Sequence, residues 1–314
     1  MRRYLLRRLV AFAATLFVVS VLVFVVIRVL PGDPAVIIMG TEGSPEAAAA
    51  LRRAMGLDRP LAVQYGEWIG RALRGDLGRS IQYDVPVGSL VLSRFRVTLP
   101  LTCLAALFMT AVALPLGMHA ATHHRRLGDY AAMVVSQLGI AIPSFWAGLL
   151  LILLFAVRLG WLQAGGFEGW EAGPWPGLRS LLLPALALGL IQAAILTRTT
   201  RAAVLEVFHA EHVRTARAKG LGERVVTWRH VFRNALVTVV TILGLQLGQL
   251  MAGSIVLENV FYLPGLGRLA LGAISARDLP VVQGVVLVVA ATIVAVNFAV
   301  DILYGVLDPR IRYE

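Results

Sequence analysis

The stretch "RRYLLRRLVAFAATLFVVSVLVFVVIRVL", residues 2–30, begins with four arginines and then carries no charged side chain from Leu9 to Ile27. A helix of roughly 20 mostly apolar residues is long enough to cross a bilayer. The apolar core of a secretory signal is shorter, about 7–15 residues, and ends at a small-residue cleavage site. No Ala-x-Ala site follows here, so the stretch reads as a retained spanning helix, and that reading places the chain among all-α membrane proteins.

The rest of the chain agrees. It has 314 residues, is 58% hydrophobic and only 15% charged, with a mean hydropathy of +0.77, too apolar for an ordinary soluble surface. The formal charge of +11 would suggest nucleic acid on a polar fold. Here the cations flank apolar runs, so membrane topology explains them and no nucleic acid is expected. Cys103 lies in an apolar run as a small hydrophobe, and one cysteine makes no intrachain disulfide.

Six segments have the length and character of spans: Leu9–Leu30, Val97–Ala120, Tyr130–Val157, Leu181–Thr197, Ala235–Leu257 and Val281–Leu307. The fourth is shortest and carries Pro184, which neighbouring membrane helices tolerate. With the N-terminus inside, sixteen Lys and Arg residues fall on the inner side and four, Arg158, Arg179, Arg268 and Arg277, in the short outer loops. Both termini are therefore expected in the cytoplasm. The division is 1–30 for the N-terminal tip and first helix, 31–96 for an outer connection, 97–307 for helices 2–6, and 308–314 for a tail. The outer connection mixes turn signals ("PGDP", "TEGSP") with amphipathic pieces in which Leu51, Met55, Leu57, Tyr65, Trp68, Ile69 and Leu73 recur. It is expected to form a small extracytoplasmic cap.

Polar residues inside the spans are few, which disfavours an ion-coupled carrier needing a midplane carboxylate or histidine. Asp301 is the one acid within an expected span, near its inner end, where interfacial helix packing or capping is the simpler role. His119, His123 and His124 share a helical spacing but lack a second ligand group, so no metal is expected. In the fifth span Gly244 and Gly248 form a small-xxx-small pair, and Gln246, Gln249 and Gly253 lie at i, i+3, i+7. That stripe fits either a translocation path or interhelical hydrogen bonds, and Gln283 raises the same choice. No phosphate-binding Gly-x4-Gly-Lys-Ser/Thr loop occurs; the single lysine, Lys219, follows "RTARA". No Gly-x-Ser-x-Gly, His-Glu-x-x-His or Cys-x-x-Cys occurs either, so no catalytic residues and no cofactor are expected on this chain.

One connection, 198–234, is basic and helix-compatible. Within "EHVRTARAKGLGERVVTWRH", residues 211–230, a short helix through Glu211, Arg214, Thr215, Ala216, Arg217, Ala218 and Lys219 is expected to end at Gly220, before Leu221. Such a helix suits a groove on a partner protein, and its arginines would equally suit anionic lipid.

This connection resembles the loop of bacterial ABC importer permeases whose general pattern is Glu-Ala-Ala-x3-Gly-x9-Ile-x-Leu-Pro. Aligned on Gly220, Ala216 also matches, while Arg214 stands where the pattern has an acid. The resemblance is stronger to the B-type permease subunits of dipeptide, oligopeptide and nickel importers. It is carried by "YLLRRL", "RVLPGDPA", "MGLDRPLAVQYGEW", "GDLGRS", "PSFWAGLLLILLFA", "VRTARAKGL", "LPGLGRLALGAISARDLPVVQGVV" and "VDILYGVLDPRIR", in that order along the chain. It implies the six-helix type I importer fold in a bacterial inner membrane. It also implies a heterodimer with a homologous second permease, two ATPase subunits holding ATP and Mg, an extracytoplasmic solute-binding protein, and alternating access transmitted through the helix at 211–221. An ion-coupled secondary transporter and a structural membrane protein are the alternatives; both would work without ATPase partners.

Overall fold

The computed structural model describes residues 2–29, 44–54 and 56–307. The "PGDP" turn, most of "TEGSP", the side chains expected at Leu51 and Met55, and the 308–314 tail lie outside the described residues. All regular structure among the described residues is helical. The helices are α1 (Arg2–Val29), α2 (Pro45–Ala54), α3 (Leu61–Ala72), α4 (Val87–Thr122), α5 (Leu127–Ala141) and α6 (Ser144–Leu151) with a π-helical continuation (Ile152–Arg158). Then come α7 (Pro174–Phe208), α8 (Glu211–Ala218), α9 (Arg233–Val260), α10 (Leu266–Ser275) and α11 (Leu279–Leu307). A helical turn (Glu223–Val225) and a π-helical segment (Val226–Phe232) lead directly into α9.

Among the described residues five helices are long and apolar enough to cross a membrane, and α5 with α6 supplies a sixth only as a bent pair. That pair corrects the expectation of one continuous span over Tyr130–Val157. The two halves meet at 103°, where Ile142 is extended (φ −84°, ψ 122°) ahead of Pro143, a conformation that a following proline favours. The other long helices outrun their expected bounds: α4 is 36 residues and α7 is 35. Membrane helices shed little energy at interior prolines when neighbours cover the freed carbonyl, so α4 keeps Pro100 and Pro115 and α7 keeps Pro184. Apolar α10 was not expected, being too short to stand out from the loop around it.

The chain divides into two compact units. The larger comprises residues 1–8, 98–263 and 295–314. Within it α7 packs against α5, α6 and α9, and 67% of its most apolar window is buried. Small residues permit this closeness. A Cβ on Gly117 of α4 would lie 2.6 Å from the Thr200 Cβ and 2.8 Å from the Thr197 carbonyl of α7; one on Gly189 of α7 would lie 2.9 Å from the Ala105 carbonyl of α4. Gly244 of α9 faces Val300 of α11 just as tightly, at 2.7 Å. Asp301 of α11 pairs with Arg8 of α1 at 2.7 Å.

The smaller unit comprises residues 9–97 and 264–294. Its core joins Val87 and Val91 of α4, Leu266, Leu269 and Ala273 of α10, and Val281 and Val285 of α11. Asp278, fully buried ahead of α11, accepts hydrogen bonds from the Ser80 hydroxyl (2.5 Å) and the Ile81 and Gln82 amides (3.1 and 3.2 Å). The "GDLGRS" and "SARDLP" segments are thereby one joint. Tyr65 and Trp68 of α3 pack on Phe24 of α1, with ring centroids 5.5 and 5.9 Å away, and the Tyr65 and Ser20 hydroxyls are 2.7 Å apart.

Candidate functional site

The turn from α7 into α8 is made by His209 and Ala210, the latter extended (φ −71°, ψ 146°). Eight residues later α8 stops as its sequence dictates. Gly220 takes φ +79°, its amide bonds back to the Arg217 carbonyl (2.9 Å), and the Leu221 amide reaches the Ala216 carbonyl (3.4 Å). This pairing satisfies carbonyls that would otherwise be orphaned at the helix end, and glycine adopts the left-handed backbone it needs without a Cβ penalty.

Only Val213 and Ala216 of α8 are buried, and the helix packs on the π-helical segment before α9. Glu211, Arg214, Thr215, Arg217, Ala218, Lys219, Gly220 and Leu221 are exposed. Arg214, in the place of the general pattern's acid, pairs with Glu211 one turn back at 2.9 Å. At 72% and 84% side-chain exposure, that pair adds little stability. Arg217 reaches further: its guanidinium meets Glu223 at 2.7 Å and lies 5.7 Å over the Phe208 ring. The Glu223 carboxylate raises the Arg217 pKa above the ordinary arginine value. The result is a short outward-facing helix tied at both ends, with an open cavity of about 880 Å3 beside it.

A second anchor lies close by in sequence, and sequence reasoning missed it. Asp129, nearly fully buried at the start of α5, accepts from Arg201 of α7 at 2.5 and 2.8 Å and from the Arg125 amide at 3.0 Å. His124 Nδ1 lies 3.0 Å from the same carboxylate. This fixes the turn between α4 and α5, in which Arg125 is left-handed (φ 63°), to the helix that leads into α8. The available signal was one acid at a span edge, and 72 residues separate it from its arginine. Glu258 was missed as well: one residue beyond the expected end of the fifth span, it is fully buried and accepts from the Thr98 hydroxyl at 2.6 Å.

The residues of the expected polar stripe differ in exposure. Gln246 is buried and both ends of its amide lack a hydrogen-bond partner, Gln249 is exposed, and Gly253 is half-buried with Leu188 of α7 close against it. Gln283, half-buried, belongs to the smaller unit. His119 and His123 stack at 4.3 Å, and among the described residues no three His, Cys, Asp or Glu side chains converge on a metal position.

Comparison with known families matches residues 113–313 to the binding-protein-dependent transport system inner membrane component, and residues 1–102 to the N-terminal part of such membrane components. The chain belongs to this family. It is therefore a multi-pass inner-membrane permease component of an ABC importer, with the helical type I fold, and it is a translocation subunit rather than an enzyme. The permease is 42% identical to the "Putative peptide transport system permease protein" of Brucella abortus (strain 2308) over 314 residues, all of both chains. It is 40% identical to the glutathione transport system permease protein GsiC of Escherichia coli (strain K12), again over the whole of both chains. Membership favours the importer over an ion-coupled carrier or a structural membrane protein.

Proposed function

We propose that this permease carries peptides or glutathione-like solutes inward by alternating access, as one half of a heterodimer with a homologous permease. Two ATPase subunits binding ATP and Mg drive it, and an extracytoplasmic solute-binding protein supplies it. The substrate class rests on what the names of full-length relatives say of those proteins. The coupling role rests on one observation: α8 offers an exposed face from Glu211 to Leu221 while Val213 and Ala216 bind it to the bundle. A push on that face is delivered to α7 and α9 and is not absorbed by a slack loop. A partner shifts a conformational equilibrium only by contacting the two states differently, and an ATPase pair that opens and closes meets that requirement.

The distribution of arginines supports cytoplasmic termini, an inner location for α8 and an outer location for the 31–96 cap. Gln246, Gln249, Gly253 and Gln283 are the proposed path residues. Gln246 is the best supported, since a buried amide without partners is costly unless water or a passing solute meets it. Expression with a tagged permease and its neighbouring ATPases tests the reading. Recovery of both ATPases and uptake that stops when their phosphate-binding lysine is replaced are expected; uptake that persists would overturn it.

A further inference from the structure

We infer that the open cavity beside α8 binds an anionic phospholipid of the surrounding bilayer. The cavity, about 880 Å3, is lined where α4 and α7 end and where the lead-in to α9 begins. These are the ends of three candidate spans of 36, 35 and 38 residues, longer than the roughly 20 that cross hydrocarbon, so the cavity lies beyond the hydrocarbon on the side of the head groups. Ala121, Leu205, Phe208 and Trp228 supply an apolar wall, beside His123, His124 and His209. Trp228, 59% exposed, stands edge-on to Phe232 with centroids 5.3 Å apart, and an exposed indole at a span terminus is the side chain most at home in the interfacial layer.

The rim is cationic. Arg214, Arg217 and Arg224 face one acid, Glu223. Glu211 holds Arg214 and Glu223 holds Arg217, whereas Arg224 makes no ion pair with any described carboxylate. An uncompensated guanidinium above an aromatic wall is complementary to an amphiphile: a phosphate diester at Arg224, with glycerol and the first acyl carbons against Phe208 and Trp228. Inorganic phosphate would satisfy the rim and leave the aromatic wall in water. Basic pockets between membrane helices recognise acidic head groups in this way. Lipid seated here bridges α8 to the ends of α4 and α7.

The test uses the full chain in its assembled transporter, in nanodiscs of phosphatidylcholine doped with phosphatidylglycerol, with retained lipid counted by native mass spectrometry. Wild type is expected to keep phosphatidylglycerol in preference to phosphatidylcholine. Arg224→Gln should lower that retention about five-fold, the effect of about 1 kcal/mol per surface cation, and Trp228→Ser should lower retention of both lipids. Equal retention in wild type and Arg224→Gln overturns the inference. So does an equal loss in Arg229→Gln, an exposed arginine outside the cavity lining, since that would report diffuse surface charge. Displacement by inorganic phosphate with no preference between lipids would assign the rim to free phosphate and overturn it too. Solute uptake measured on the same samples keeps this outcome separate from the coupling role of α8.

Discussion

At the scale of single residues, Gly220 and Asp129 fix α8 and the helix that leads into it in different ways. A Cβ at Gly220 would meet nothing within 4 Å, so the penalty for Gly220→Val is one of backbone conformation, about 1–2 kcal/mol for an L-residue held left-handed. Gly220→Val should insert normally but recover less ATPase on affinity purification, and Gly220→Asn should recover more than the valine variant. The glycine was legible because its conformational demand is local. Asp129 was not, because what matters there is a partner on another helix. Asp129→Ala leaves Arg201, whose side chain is 21% exposed, with a partly buried unpaired charge. A loss of about 2–3 kcal/mol in thermal unfolding in detergent is expected, below the full cost for a wholly buried pair. Asp129→Ala with Arg201→Met should regain most of it, since the orphaned charge rather than the lost attraction carries the cost.

At the scale of elements, α7 shows how closely membrane helices approach when one side of the contact is glycine. The atoms facing Gly117 include the Thr197 carbonyl, and backbone cannot rotate away as a side chain can. Gly117→Leu should therefore push α4 off α7, lowering stability by at least about 1–3 kcal/mol, with loss of the monodisperse peak in size exclusion as the readout. Hydropathy located every long apolar element, yet it could not tell the continuous helix α7, with its interior Pro184, from the broken pair α5 and α6 at Pro143. Both are apolar enough to span. What differs is whether packed neighbours cover the carbonyls that proline exposes, and that depends on residues far away in the chain.

At the scale of the whole molecule, the permease carries spanning helices and an exposed α8 but no phosphate-binding loop. Solute uptake into vesicles bearing the complete transporter should require ATP hydrolysis, and a permease carrying Val213→Asp should insert yet transport several-fold less. Val213 is fully buried and seats α8 on the chain, so an unpaired carboxylate there should release the helix. Normal uptake with that variant would show that α8 does not transmit force.

The sequence by itself determined that the chain is a helical membrane protein, where its long helices run, that a short helix ends at Gly220, and which family's motifs it carries. Those features follow from apolar runs, from the conformational freedom of one glycine, and from residues adjacent along the chain. Only the tertiary structure decided that the third span breaks at Pro143, that Asp129 clasps Arg201, that Asp278 joins two distant motifs, and that Gln246 is buried while Gln249 is exposed. Each of those depends on which side chains meet across tens or hundreds of intervening residues, and pairing at such separations is set by packing rather than by local pattern.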